Sequence, residues 1–216
     1  MGNERKRVIV ADDHAVVRTG LQMILDETTN LSVVDEARNG QELLDKLYQQ
    51  PYDLVVLDIS MPGKDALNVL KEIKYNWELL PVVIFSMNPD EAFAIRMLSN
   101  GASAYIKKET NPKQIIEILQ IAVTGRKYLT QNQTKSISEK VMWSDTQTNL
   151  IHETLTDREF QIFCLLANGT KKTEIAYKLE ISINTLSNHR NNILKKMNLN
   201  ANSELTRYAI QHGIIQ

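Results

Sequence analysis

Cysteine is almost missing: Cys164 is the only one in 216 residues, so no disulfide can close within the chain and no cysteine-rich metal cluster can be built. Its place in the apolar stretch 160–167 predicts a small buried core residue. Proline and glycine are also few, five and eight, which excludes collagenous and low-complexity architectures. No apolar run approaches the roughly 18 residues that cross a bilayer. Residues 1–7 are basic but lead into a short strand-like run and then acids, unlike a signal peptide. A cytoplasmic protein with no membrane partner is expected.

Net charge is nearly absent as well, at −1, but its distribution is uneven. Residues 1–125 hold 13 basic and 18 acidic side chains, 126–150 hold four and two, and 151–216 hold eight and six. An acidic front and a mildly basic back mean that only the back suits a polyanion. With 43% hydrophobic residues a chain of this length can bury two ordinary cores.

The front alternates short β-branched runs with amphipathic stretches, the pattern of βαβ units on a parallel sheet. Strands are predicted at 8–11, 31–36, 54–57, 82–85 and 104–106, and helices near 15–27, 40–49, 66–76, 90–99 and 112–124. This is a doubly wound α/β (βα)5 domain over 1–125. A polar linker follows over 126–150, partly helical, with Trp143 as a residue that could dock on either side. In 151–216 the strand signal stops. Thr156-Asp157-Arg158-Glu159 has the form of a capping box opening a helix that ends at Gly169. Further helices are expected at about 171–180, from after Ser182 to Met197, and at 203–212, which makes a small all-α four-helix domain.

Acidic residues at strand ends carry the chemistry. Asp12 and Asp13 follow the first strand and Asp58 ends the third. In a sheet of order 2-1-3-4-5 these strands are neighbours at the point where the connections reverse, so their carboxyl ends border the ligand crevice. Crowded carboxylates repel unless a cation joins them, and an oxygen-only cluster suits Mg2+, which keeps waters and accepts phosphate. A carboxylate beside such an ion is a reasonable phosphoryl nucleophile. Asp58, from the central strand, is the better candidate. Ser86 and Lys108, after the fourth and fifth strands, can supply a hydroxyl and an ammonium to phosphoryl oxygens.

These residues lie in motifs that resemble the receiver domain of response regulators, in the NarL/FixJ subfamily: Val8-Ile9-Val10-Ala11-Asp12-Asp13-His14, Leu57-Asp58-Ile59-Ser60-Met61-Pro62-Gly63, Phe85-Ser86, and the run from Gly101 to Lys108. The resemblance implies a flavodoxin-like receiver in which Asp58 is phosphorylated by a sensor histidine kinase. It implies Mg2+ held by Asp13, Asp58 and the Ser60 carbonyl, with Asp12 binding through water. Ser86 and Lys108 would hold phosphoryl oxygens, and Tyr105 would be the aromatic that turns inward when Ser86 moves. The family's lysine stands three residues after this aromatic, which selects Lys108 over Lys107, and strand alternation agrees. Ala66, Met87 and Glu109 depart from the common pattern, and Met87 is expected to crowd the mouth of the site.

Residues 155–210 resemble the LuxR-type helix-turn-helix through Leu155-Thr156-Asp157-Arg158-Glu159, Glu174-Ile175-Ala176 and the run from Asn188 to Leu194. Leu186, Ile193 and Met197 form one apolar stripe, with His189 near its edge in a packing or phosphate-contact role. The opposite face, with Thr185, Ser187, Asn188, Asn191, Asn192 and Lys195, is slim and polar enough for a major groove. Relatives usually carry lysine where Ser187 stands. Asparagine can pair with adenine through two hydrogen bonds, so an A·T-rich double-stranded site is expected, with Lys171, Lys172, Arg190, Lys195 and Lys196 as backbone contacts. The last helix, with Leu205, Thr206, Tyr208 and Ala209, resembles the family's dimer helix, and a homodimer would match two half-sites.

The reading that follows is a transcriptional switch, not an enzyme beyond Mg2+-dependent uptake and hydrolysis of its own phosphoryl group. Two alternatives remain: a constitutive DNA-binding module with the receiver as a docking platform, and an aspartyl-phosphate phosphatase. The first would be favoured by loss of an acid or of the lysine. The second would need an acid-base group where Ser60 stands.

Overall fold

The computed structural model describes residues 5–87, 91–131, 133–134, 150–179 and 181–215. The chain divides into two compact units, 1–140 and 141–216.

The first unit runs β1 (Lys6–Ala11), α1 (Ala15–Asp26), β2 (Leu31–Ala37), α2 (Gly40–Gln49), β3 (Leu54–Leu57), α3 (Ala66–Asn76), β4 (Val82–Ser86), α4 (Glu91–Ser99), β5 (Ala104–Lys107) and α5 (Pro112–Ala122). The five strands are parallel in the order β2-β1-β3-β4-β5, as the alternating pattern predicts. β3 and β4 are buried along their whole length, which is why they read as unbroken apolar runs. Val8, Val10, Val56, Val83 and Ile106 on one face of the sheet share a core with Leu21 and Leu25 of α1 and Ile115, Ile118 and Leu119 of α5. Truncating a residue such as Leu119 to alanine costs about 2–5 kcal/mol through lost burial and the cavity left behind.

Helix starts follow their caps. The Asn39 side chain accepts the Glu42 N–H and Asn111 accepts the Gln114 N–H, with Pro112 in the first turn of α5. Gly40 is required by proximity: a Cβ there would lie 2.5 Å from Val69 Cγ2 on α3.

The second unit opens with a 3-10 turn (Ile151–Thr154), followed by α6 (Asp157–Ala167), α7 (Lys172–Lys178), α8 (Ile183–Met197) and α9 (Asn202–Gln211). Both bonds of the expected capping box are made: Glu159 N–H donates to Thr156 Oγ1 and Thr156 N–H to Glu159 Oε2. α6 stops where Gly169 adopts φ +75° and Thr170 N–H returns to the Leu165 carbonyl. Phe160, Phe163, Cys164, Ile175, Leu186, Ile193, Met197, Leu205 and Ala209 are buried. Cys164 is thus the core residue expected of it.

Two differences matter. The early part of the expected 126–150 linker is packed on the first unit: Tyr128 N–H donates to the Ser103 carbonyl at 2.8 Å, its ring lies against the sheet core, and Gln133 is buried. A lone docking aromatic in a polar segment leaves no periodic signal. Residues 135–149, with Trp143, lie outside the described residues, as does Glu180, the expected end of the second helix. The 3-10 turn at 151–154 is too short to show periodicity.

Candidate phosphoacceptor site and DNA-binding helix

Register brings the strand-end acids together. Ala11 pairs with Leu57, and Asp58 N–H donates to the Ala11 carbonyl at 2.8 Å, so Asp12 and Asp58 follow side by side. β5 ends level with β4, where Lys108 N–H donates to the Ser86 carbonyl at 2.9 Å. Lys108 leaves the strand on the inward side while Lys107 is exposed. Its Nζ lies 2.6 Å from Asp12 Oδ2 and 2.9 Å from Asp58 Oδ2. The other Asp58 oxygen, Oδ1, accepts the Ser60 N–H at 3.1 Å.

Asp12 and Asp58 are almost wholly buried, and Asp13 is more open. Burial, with Asp12 adding to it, pushes the Asp58 carboxyl above the usual aspartate range although Lys108 pulls the other way. Burial alone would lower the Lys108 pKa, but its bonds to Asp12 and Asp58 outweigh it and raise it.

Ser86 is fully buried at the end of β4. Tyr105 on β5 is buried too, beside a cavity of about 180 Å3 that Gln114, Ile118 and Tyr128 also line. Met87, next to Ser86, is 62% exposed.

Two contributors were not anticipated. His14 N–H donates to Asp12 Oδ1 at 2.8 Å, and its ring Nδ1 lies 2.9 Å from Asp13 Oδ1. The adjacency Asp-Asp-His was the available signal. Arg18, buried on α1, reaches the Asp12 carbonyl at 2.7 Å and Glu36 at 2.5 Å. It stands one helical turn after His14, where a sequence pattern gives no reason to expect an inward arginine.

Asp12, Asp13, His14 and Asp58 can each offer a ligand atom within 4.8 Å of one another. Asp12 and Asp58 share the Lys108 ammonium and Asp13 lies beside them, and this excess of hard oxygen donors fits a small divalent cation.

In the second unit α8 begins with Ser182 capping the Thr185 N–H at 3.0 Å. Leu186, Ile193 and Met197 face the core as expected, joined by Leu194, and Thr185, Asn188, Asn191, Asn192 and Lys195 are exposed. Other candidates are engaged internally. Ser187 Oγ donates to the Ile183 carbonyl at 2.9 Å, Arg190 Nε to Asn202 Oδ1 at 2.7 Å, and Lys196 Nζ to Glu159 Oε2 at 2.6 Å. His189 is half-buried, and that burial lowers its pKa, which fits packing. Lys171 and Lys172 stand exposed at the start of α7.

Two of the four expected dimer residues do not reach the surface. Leu205 and Ala209 are fully buried in their own domain, because their i, i+4 stripe on α9 closes its core. Thr206 Oγ1 donates to the Ala167 carbonyl at 3.0 Å, and Tyr208 Oη lies 3.0 Å from His152 Nδ1. Ser203, Arg207 and Ile210 form the exposed side of this helix.

The response regulator receiver domain model matches residues 8–120, and that of the luxR family of bacterial regulatory proteins matches 153–209. The chain belongs to the response regulators. It is 34% identical over 214 residues to the oxygen regulatory protein NreC of Staphylococcus carnosus, covering 97% of this chain and 99% of that one. RcsB of Salmonella typhimurium superposes with a TM-score of 0.58 at 25% identity, over 98% of this chain and 100% of the other. RcsB of Salmonella enterica serovar Typhimurium, bound to promoter P1flhDC in the presence of the phosphomimetic BeF3−, gives a TM-score of 0.57 at 25% identity, over 95% and 98%. This regulator is therefore a DNA-binding member of a two-component system, with a receiver and a LuxR-type domain. No helix among the described residues is long and apolar enough to cross a membrane.

Proposed function

We propose that Asp58 is the phosphoacceptor, that a sensor histidine kinase is its donor, and that phosphorylation switches a cytoplasmic homodimer onto DNA. The observation that carries this is the Asp58 carboxylate, buried at the end of the central strand and 2.9 Å from Lys108 Nζ. One Asp58 oxygen attacks phosphorus, the N–P bond of the donor's phosphohistidine breaks, and the imidazole leaves with the bonding pair and is protonated. Hydrolysis reverses the gain: water attacks phosphorus, the aspartyl O–P bond breaks, and inorganic phosphate departs.

Asp12, Asp13 and Asp58, with the Ser60 carbonyl, are the residues suited to hold Mg2+. When bound, it supplies positive charge beside the transferring oxygens. Lys108 offers its ammonium to the same oxygens, and its bond to Asp58 keeps the carboxylate oriented beforehand. Ser86, buried at the strand end, would follow the added charge, and Tyr105 would report it to the β4–β5 surface. His14 holds Asp12 and Asp13 in place.

On the DNA side, Thr185, Asn188 and Asn191 are the proposed base-reading residues, with Ser187, Arg190 and Lys195 as secondary or backbone contacts. Support comes from their position on the second helix of the helix-turn-helix, the one that enters the major groove. The RcsB complex with promoter DNA supports a protein of this architecture acting on a promoter. Two-fold pairing through α9 would use its exposed side, Ser203, Arg207 and Ile210, with the partly exposed Thr206 and Tyr208.

The test is incubation of wild type and Asp58→Asn with Mg2+ and acetyl phosphate, followed on a phosphate-affinity gel and by DNA binding. Only wild type is expected to shift and to gain DNA affinity. If neither shifts and both bind DNA equally, the regulator is a constitutive module.

A further inference from the structure

Within the second unit the first turn of α8 alone carries no acidic residue, a trait it shares with α1, α3 and α5 of the first, whereas α6, α7 and α9 each carry one or more there. An acid at that end favours the helix dipole, so its omission gives up local stability. It suits a helix whose N-terminus approaches phosphates. In its place the turn opens with Ile183, which is 50% exposed. Tyr177 on α7 is 87% exposed, and the two share an open concavity of about 650 Å3 with Ala176, Lys178 and Ile181. An isoleucine and a tyrosine left in water contribute little to their own domain, since apolar stabilisation comes from surface removed from water.

This patch is continuous with the polar face of α8. Ile183 lies one turn before Ser187, whose hydroxyl bonds the Ile183 carbonyl, and is followed by the exposed Asn184 and Thr185. Residues at the N-terminus of a recognition helix meet base edges first. The apolar feature in the major groove is the C5 methyl of thymine. Lys178, on the same rim and exposed, suits the neighbouring phosphates.

We infer that Ile183 is a specificity residue that reads the thymine methyl in the operator, with Tyr177 and Lys178 lining the adjacent DNA strand. This rests on the proposed insertion of α8 in the major groove. It adds a chemical demand that the asparagines do not make, because adenine pairing to Asn188 or Asn191 is indifferent to that methyl.

The test uses the full chain treated with Mg2+ and acetyl phosphate, and an operator selected from random DNA. Each thymine is replaced singly by deoxyuridine, which deletes only the methyl. Wild type is expected to lose about fourfold in affinity at one position per half-site, the equivalent of one unburied methyl-sized group. Ile183→Ala should bind thymine and uracil DNA alike, and Ile183→Val should keep part of the discrimination. Because Ile183 is exposed, all three proteins should melt together. Uracil tolerated by wild type at every position, or discrimination surviving in Ile183→Ala, overturns the inference. So does an Ile183→Ala protein that binds DNA as wild type does but fails to drive transcription in a reconstituted reaction, which would assign the patch to a protein partner. Asn188→Ala separates the layers. If it alters base preference while Ile183→Ala does not, only the methyl reading fails; if neither alters it, insertion of α8 fails as well.

Discussion

Lys108 Nζ lies 2.9 Å from Asp58 Oδ2 while its neighbour Lys107 faces solvent. The same ammonium is 2.6 Å from Asp12, so one cation serves two buried anions. Removing one member of such a cluster leaves uncompensated charge, which costs about 3–5 kcal/mol where the carboxylates cannot take up a proton instead. Lys108→Ala should therefore destabilise the receiver by up to that amount and abolish the gain in DNA affinity on treatment with acetyl phosphate. Lys107→Ala, an exposed change, should stay within about 0.5 kcal/mol. Urea unfolding of the two variants checks this, and equal midpoints would refute the distinction.

Burial and Asp12 raise the Asp58 pKa. An acid whose folded pKa lies above its unfolded value costs the fold stability as pH rises through both values. Asp58→Asn should thus melt above wild type in divalent-free buffer. Mg2+ should then raise the melting temperature of wild type more than that of the variant. At ten times its Kd the ion adds about 1.4 kcal/mol by mass action. A thermal shift titration with Mg2+ shows both effects, and an identical Mg2+ response in the two proteins would remove Asp58 from the ligand set.

Met87 follows the buried Ser86 and is 62% exposed, so its side chain stands at the solvent side of the strand ends instead of filling the core. Met87→Ala should speed both phosphoryl uptake from acetyl phosphate and loss of the phosphoryl group, with no change in melting temperature. Rates that match wild type would mean that the side chain leaves the mouth of the site open.

Glu159 is held below the ordinary glutamate range: burial pushes it up, but Lys196 and the Thr156 backbone prevail. A depressed carboxyl contributes stability that is present above its unfolded pKa and is lost as pH falls through the lower folded value. The capping box at α6 should therefore loosen only in acid. Glu159→Gln should lose part of this stabilisation at neutral pH and flatten the acid limb. Hydrogen exchange at the amides of 156–160 reads it locally, and an unchanged acid limb in the variant would show that another group governs it.

Much of this architecture was legible in the sequence because its signals are local. β3 was read to the residue, since a strand buried on both faces is an uninterrupted apolar run, and the Asn111-Pro112 and Thr156–Glu159 caps announce their helices. Asp58 and Lys108 were legible because strand ends in a doubly wound sheet converge on one edge. Arg18 was not, since an inward arginine reads like any polar residue on a helix until Glu36 and the Asp12 carbonyl are placed around it. Tyr128 was hidden by the polar residues on either side. Leu205 and Ala209 were misassigned because an i, i+4 apolar pair looks the same whether it faces a partner or its own core. Only the positions of α6 and the 3-10 turn decide between them.

Two adjacent lysines on α8 differ in the same way. Lys195 is exposed on the polar face, whereas Lys196 is paired with Glu159 at 2.6 Å. A lysine that meets a phosphate releases a counterion, so its removal lowers the slope of log K against log salt by about 0.9. A lysine already paired within its domain releases none. Lys195→Ala should therefore weaken DNA binding on all sequences alike and reduce the salt slope by about one counterion. Lys196→Ala should leave the slope unchanged, and it should shift the acid limb of α6 exchange because Glu159 loses its cation. Titrations of operator DNA at several salt concentrations decide between the two, and an equal drop in slope for both variants would mean that the Lys196–Glu159 pair opens when DNA binds.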